Sequence, residues 1–228
     1  MRKILFLLFV FLFFAAFQTK LKAQQSENKY INASYLYNGV EYLGHPPKIQ
    51  GSPFFLDTEY NSGNIVYNGI FYDRLNLKYD VVTDQLVTRY IDGSSEMSFL
   101  SGFVSKFSIQ GFKFVYLPTN TFGDVKTSPG YFQELVDGKA SFFIKRKKNL
   151  KETPGVRDIT SEFVTADEFF ILKDGNLHRV SSKSSVLNVF KDKKKELNAF
   201  LKDQSINFRD NPELATSKMV QEYNELTN

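Results

Sequence analysis

The sequence predicts an α+β fold: an antiparallel β meander, a hairpin-rich curved sheet or half-barrel, packed with C-terminal α-helices. Three observations predict it. Turn dipeptides punctuate short apolar segments from about residue 30 to residue 180, several of those segments are apolar on both faces, and from about residue 184 the apolar residues recur at helical spacing.

Met1-Arg-Lys3 followed by the apolar run Ile4 to Phe17 reads as an export signal. A membrane-spanning helix needs about 20 apolar residues, and this run is shorter. The polar stretch Gln18 to Lys22 and the small Ala23 predict cleavage before Gln24, although Leu21 occupies a position where a small residue is preferred. No cysteine stands at the cut, so the chain is not read as a lipoprotein. The expected compartment is the periplasm, the outer-membrane periphery or the extracellular space. Arg2, Lys3, Lys20 and Lys22 leave with residues 1–23 and no acidic residue does, so the net charge of +4 belongs to the signal and residues 24–228 are balanced. A balanced domain offers no argument for a nucleic-acid partner, and no transmembrane segment is read in the mature chain. Residues 24–228 are expected to form a single β-rich domain with a helical part from about 184. The absence of Cys and Trp leaves packing to 24 Phe and 12 Tyr, counted over the whole chain, a composition suited to strands.

Within the sheet region, Asn38-Gly39 lies between Tyr35-Leu-Tyr37 and Val40-Glu-Tyr42, and Asn68-Gly69 between Asn64 to Tyr67 and Ile70 to Tyr72. Both predict two-residue hairpins, since a type I′ turn needs positive φ at two successive positions. Tyr-Asn-Gly-x-x-Tyr thus occurs twice, at 37–42 and 67–72, too few copies for a repeat architecture. The Gly44-His-Pro-Pro47 and Gly51-Ser-Pro53 segments predict an intervening loop. In Arg74 to Val81, alternation turns Leu75, Leu77, Tyr79 and Val81 inward and Arg74, Asn76, Lys78 and Asp80 outward, a half-buried strand. Thr83-Asp84, Gln110-Gly111, Asp137-Gly138 and Asp174-Gly175 are further turns. Phe112 to Leu117, Ala140 to Ile144 and Phe169 to Leu172 are apolar on both faces and need cover on each side.

That cover is expected from two helices. Ser184 or Ser185 caps the first, which carries Val186, Leu187, Phe190, Leu197, Phe200 and Leu201 on one face and Lys193-Lys-Lys195 on the other. The second begins at Asn211-Pro212 and turns Leu214, Val220, Tyr223 and Leu226 inward.

Sites of chemistry are sparse. His45 sits in a proline loop and His178 in the strand Asn176 to Val180, where Arg179, Ser181 and Ser182 are its neighbours. A nucleophilic site needs a histidine between a nucleophile and an orienting acid, yet no Gly-x-Ser-x-Gly elbow accompanies His178. His45 and His178 are too far apart in sequence to form a His-x-x-x-His metal pair, so no metal, cofactor or catalytic residue is assigned. Asp57 with Glu59, and Glu162 with Asp167 and Glu168, are the nearest candidates for the paired carboxylates of a glycosidase, and read more simply as turn and strand-edge charges. Lys145-Arg-Lys-Lys148 with Lys151, and Lys191 with Lys193 to Lys195, have the charge to meet anionic lipid headgroups. The simpler reading is a solvated edge and a solvated helix face.

Gly51-Ser-Pro-Phe-Phe55, Asn64 to Gly69, Leu77-Lys-Tyr-Asp80, Phe170 to Gly175 and Asp192 to Leu197 resemble an uncharacterised family of exported proteins of Bacteroidota-type bacteria, over most of the mature chain. That resemblance implies export and carries no activity or site residues. In order of elements the chain is also similar to the periplasmic lipoprotein-carrier half-barrels, curved antiparallel sheets with helices in the concavity. The leading expectation is a non-enzymatic binding or structural module of the cell envelope, its partner an envelope protein, a glycan or a lipid. A periplasmic carrier of an apolar ligand such as lipid or lipoprotein is the alternative, suggested by the two-sided strands, and a hydrolase the second alternative.

Overall fold

The computed structural model describes residues 35–56, 59–118, 127–155 and 158–227. The export signal read over residues 1–23 lies outside them. Fourteen strands are present among the described residues: β1 (Val40–Glu41), β2 (Ile49–Gln50), β3 (Asn61–Tyr67), β4 (Ile70–Asp80), β5 (Gln85–Arg89), β6 (Glu96–Ser98), β7 (Val104–Ile109), β8 (Phe112–Leu117), β9 (Gly130–Val136), β10 (Ala140–Lys145), β11 (Lys148–Pro154), β12 (Ile159–Thr165), β13 (Glu168–Lys173) and β14 (Asn176–Val180). Eleven of them join into one open antiparallel sheet in the order β1-β6-β5-β4-β3-β7-β8-β9-β10-β13-β14. The β11–β12 hairpin leaves this sheet and takes β2 as a parallel third strand. Helices α1 (Lys183–Val189), α2 (Lys194–Asp203) and α3 (Pro212–Thr227) follow, so the α+β architecture read from the sequence is the observed one.

The register shows how the core is laid out. Directly opposed residues share a face. One row therefore crosses seven strands on a single face: Ile65, Phe107, Phe114, Gln133, Ile144, Phe169 and Val180. To one side of Gln133 the row belongs to a core of sheet side chains, in which Phe107 stacks on Phe114 at 4.6 Å and Tyr79 and Tyr131 meet them edge-on. To the other side it belongs to a core shared with the helices, where Phe142, Ile144 and Ile171 meet Phe190, Leu197, Met219 and Val220. A third cluster, Leu117, Phe132, Phe143, Phe170 and Leu177, occupies the opposite face of β8, β9, β10, β13 and β14.

Turn chemistry explains most hairpins. Asn68-Gly69, Gln110-Gly111 and Asp174-Gly175 all have positive φ at both positions, as a type I′ turn requires. Asn38-Gly39 does not follow the expectation: neither residue has positive φ, and Val40–Glu41 pairs instead with β6, so the 37–42 segment is no hairpin. The half-buried reading of residues 74–81 is also corrected. Leu77, Tyr79 and Val81 are in the core, but Lys78 and Asp80 on the other face are buried too, because Tyr42, His45, Phe54 and Tyr60 pack over them. Every residue of β10 is buried, as its two-sided apolar character demands, whereas Phe112 at the start of β8 is exposed.

The first helical segment breaks in two, with a 3-10 turn at Lys191–Lys193 between α1 and α2. Its cap is Ser182, two residues before the earlier of the two serines expected. Ser185 serves as the third helical residue of a capping box, the two hydroxyls each accepting from the other's backbone N–H at 3.2 and 3.0 Å. Pro212 does open α3, and the Asn211 side chain accepts from Leu214 N–H at 2.9 Å. Val220 and Tyr223 face inward as expected. Leu214 and Leu226 are exposed instead, and Ala215, Thr216 and Met219 take the buried stripe.

Candidate binding groove

β14 is the last strand of the large sheet, and its outer edge carries no partner strand among the described residues. The Asp174-Gly175 turn determines what that edge presents. A two-residue hairpin makes Lys173 and Asn176 a hydrogen-bonded pair, and alternation then turns the backbone of Asn176, His178 and Val180 toward β13 and that of Leu177 and Arg179 outward. Directly after β14 the Ser182 capping box starts α1, and Val186, Leu187 and Phe190 anchor this helical segment in the core. An open cavity of about 780 Å³ remains, lined from the sheet by Lys173, Asp174, Asn176, His178 and Arg179 and from the helical side by Ser185, Asn188, Val189 and Lys191. Because His178 and Arg179 point to opposite faces of the strand, a cavity that touches both lies off the strand's free edge.

The charges of the groove are unevenly committed. Lys173 Nζ lies 3.1 Å from Asp174 and 3.7 Å from Asp192, and over the ring of Tyr223. Arg179 reaches Glu168 at 3.1 Å with most of its side chain in solvent. Lys191 makes no ion pair, and the His178 ring no hydrogen bond, with any described residue. The Ser182 and Ser185 hydroxyls are held in the capping box, so His178 is not placed as the base of a serine nucleophile.

The densest polar site lies elsewhere, around Asp80, whose side chain is fully buried. Its Oδ2 accepts from Tyr42 at 2.9 Å and Thr83 at 2.7 Å and lies 2.7 Å from His45 Nε2, while its Oδ1 accepts from the backbone of Val82 and Thr83. Burial pushes the carboxyl up, and the bonds from Thr83, His45 and Tyr42 outweigh it, holding Asp80 below the ordinary aspartate value. The same burial and the carboxylate raise the Tyr42 phenol. His45 meets Phe163 edge-on at 5.1 Å, which ties this loop to the β11–β12 hairpin. With its acceptor sites occupied, Asp80 acts as a clasp for the loop.

The acidic candidates are dispersed among ion pairs. Glu162 meets Lys151, Asp167 meets Arg146, and Glu168 meets Lys147 and Arg179. Asp57 lies outside the described residues. Glu59 borders a different cavity, of about 430 Å³, with Tyr60, Arg74, Arg89 and Tyr90. The basic run is not a solvated edge either: Lys145 is buried against Asp84 at 2.9 Å, and Lys148 donates to the carbonyls of Ser52 and Phe54. Arg146 is half-buried between Gln133, Asp167 and a bidentate contact with Glu213 of α3, and lies over the ring of Phe55. Burial lowers its pKa, and the bonds to Glu213 and Asp167 more than restore it. Among the described residues no group of three or more His, Asp or Glu side chains is placed to hold a metal ion. No described helix is long and apolar enough to cross a membrane. Comparison with protein-family models, curated proteins and solved structures finds no match.

Sequence reasoning named His178, Arg179 and Ser185 but missed the groove they border. The signal was present: a two-residue Asp-Gly turn sets the parity of β14, and Ser182-x-x-Ser185 starts a helix two residues after it ends. Asp80 was passed over because its buried role depends on a loop some 35 residues upstream.

Proposed function

We propose that this protein is an exported, non-enzymatic binding module of the cell envelope, and that the groove between β14 and α1 is its ligand surface. One observation carries the reading: at this edge a strand's outward backbone groups have no partner among the described residues and lie beside a cavity that the described side chains do not fill. Of the acidic residues considered for hydrolysis, Glu162, Asp167 and Glu168 are engaged in ion pairs, and among the described residues no serine hydroxyl bonds to the His178 ring, which favours binding over chemistry. The test is a photo-crosslinking amino acid at Asn188 in cells that export the protein, with Leu150 on the exposed β11–β12 hairpin as the control position. A discrete adduct from Asn188 alone, found in the envelope fraction, is expected. Equal labelling from both positions, or none from the groove, overturns the assignment.

A second reading, carriage of an apolar ligand, is favoured by a smaller cavity of about 280 Å³ at the tip of the β3–β4 hairpin, where Tyr35, Tyr67, Tyr72, Leu100 and Phe103 converge. Tyr35, Ile70 and Phe103 are exposed there. Lipid in an organic extract of the purified protein, detected by mass spectrometry, moves this reading ahead. Its repeated absence removes it.

A further inference from the structure

We infer that the ligand of the β14–α1 groove is an extended polypeptide segment bearing acidic side chains, which adds to the large sheet as a further strand along β14. The inference rests on the reading of the groove as the binding surface.

The backbone decides the class of ligand. Leu177 and Arg179 turn their N–H and C=O groups outward, two donors and two acceptors repeating at about 7 Å along the edge. An extended peptide offers the complementary repeat; a lipid or a glycan does not. Natural sheets block such edges with bulges, prolines or very short strands. The other end of this sheet follows that rule, since β1 has two residues. β14 has five, none of them Pro, and its pairing with β13 is uninterrupted from Phe169↔Val180 to Lys173↔Asn176. Its free edge is in the state that accepts a strand, and α1 forms a second wall that confines the incoming chain to one lane.

Charge decides the side chains. Lys173, Arg179 and Lys191 line the groove against one carboxylate, Asp174. Asp174 and Asp192 hold Lys173, which leaves Lys191 without a carboxylate and Arg179 with only its exposed contact to Glu168. A strand lying on β14 turns alternate side chains to the two faces. One set then meets His178 and Lys191 and the other meets Arg179, so acidic residues are complemented on both. A second copy of this chain is disfavoured as occupant, because it brings two basic grooves together.

The test uses the mature chain, isotope-labelled for NMR, and three synthetic hexapeptides: Thr-Glu-Val-Glu-Val-Thr with blocked ends, its counterpart with Lys in place of Glu, and an N-methylated glutamate peptide that lacks outward donors. The glutamate peptide is expected to shift the amides of Leu177, Arg179 and Lys191 saturably. The lysine peptide should bind at least about tenfold more weakly and the N-methylated one not at all. Lys191→Glu should reverse the order of the charged peptides without changing the melting temperature, which separates charge reading from folding. Equal binding of the glutamate and lysine peptides, with shifts on β14, removes the acidic preference and leaves the groove reading standing. If no peptide shifts β14, strand addition is wrong, whatever the crosslinking from Asn188 reports. A concentration-dependent dimer in sedimentation equilibrium, with β14 shifted in the absence of peptide, replaces the peptide by a second copy.

Discussion

The two halves of the sheet's core face solve the same burial problem differently. Over β3, β4, β7 and β8 the strands supply most of the cover themselves: Ile65, Tyr67, Leu77, Tyr79, Phe107 and Phe114 interlock, and Leu36 from the helical turn at residues 35–36 joins them, with none of α1, α2 or α3 in their cluster. Over β10, β13 and β14 the strands supply only part of the cover, and Val186, Leu187, Phe190, Leu197, Leu201, Met219 and Val220 supply the rest. Gln133 marks the boundary, and Arg146 bridges it by reaching Gln133, the Phe55 ring on one side and Glu213 of α3 on the other. The half filled with aromatic side chains keeps smaller cavities, of about 430 and 280 Å³. The half roofed by helices ends in an open edge beside α1, and there the groove is found.

The largest effect is expected from removing the roof. Truncation after Lys183 bares β10, whose six residues are all buried, and a fully buried apolar side chain is worth about 1.5–3 kcal/mol against a total stability of about 5–15 kcal/mol. The truncated protein should lose its cooperative melt and bind hydrophobic dyes. A monomer that melts near the parent temperature would show that the second half also closes on itself, and the contrast between the halves would disappear.

Asp80→Ala should cost about 3–5 kcal/mol, since it strands the buried donors of Tyr42 and Thr83 and leaves His45 without its carboxylate. Chemical denaturation measures this, and a cost below about 1 kcal/mol would mean that the loop does not depend on Asp80. The carboxyl's depressed pKa has a defined sign. The stability it contributes is present above the unfolded value of about 4 and is lost as the pH falls from there through the folded value. Asp80→Asn should therefore flatten the acid limb of the melting temperature below about pH 4.

Arg146→Ala tests the seam. With Gln133 left without its donor, Asp167 keeping only the Lys147 N–H on its other oxygen and Glu213 open to water, we expect a loss of about 3 kcal/mol. Protection from hydrogen exchange should fall first in α3. Equal loss of protection in both halves would make the core one unit.

Smaller effects separate the turn from the groove. Gly69→Val places a β-branched residue at a φ of +78°, with nothing close by to clash, and should cost about 1–2 kcal/mol in thermal melts from backbone strain alone. His178→Ala should change stability by less than about 0.5 kcal/mol, because the ring makes no hydrogen bond with a described residue and borders open space. A larger shift would show that the ring helps hold α1 to β14.

Gly130 illustrates what turn chemistry does not reveal. Its φ of +152° suits glycine, and a side chain there would strike the Asp84 carboxylate and the Lys145 ammonium, so the residue is small because an ion pair passes over it. Asn38-Gly39 and Asn68-Gly69 read alike, yet only the second makes a hairpin, since β1 finds a better partner in β6 than in the residues before its turn. The run Lys145 to Lys148 reads as a solvated charge cluster, yet Lys145 is buried and the other three are half-buried. Its partners, Asp84, Asp167, Glu213 and the carbonyls of Ser52 and Phe54, come from segments up to 96 residues away. The groove was half legible: the turn before β14 and the cap before α1 are local, while the free edge depends on no other strand docking there.

By itself the sequence determined the fold class, the type I′ hairpin at residues 68–69, turns at 110–111 and 174–175, the start of α3 at Pro212 and the buried character of β10. Each is decided by residues a few positions apart, through φ preference, capping or alternation, and a linear reading sees such interactions. Only the tertiary structure decided that Lys78 and Asp80 are covered, that Arg146 joins two cores, and that Leu177 and Arg179 lie on an edge that pairs with no described strand and borders a cavity. Those features arise between segments distant in the chain, where hydrogen-bond partners and burial are set by how the sheet curls and where the helices land.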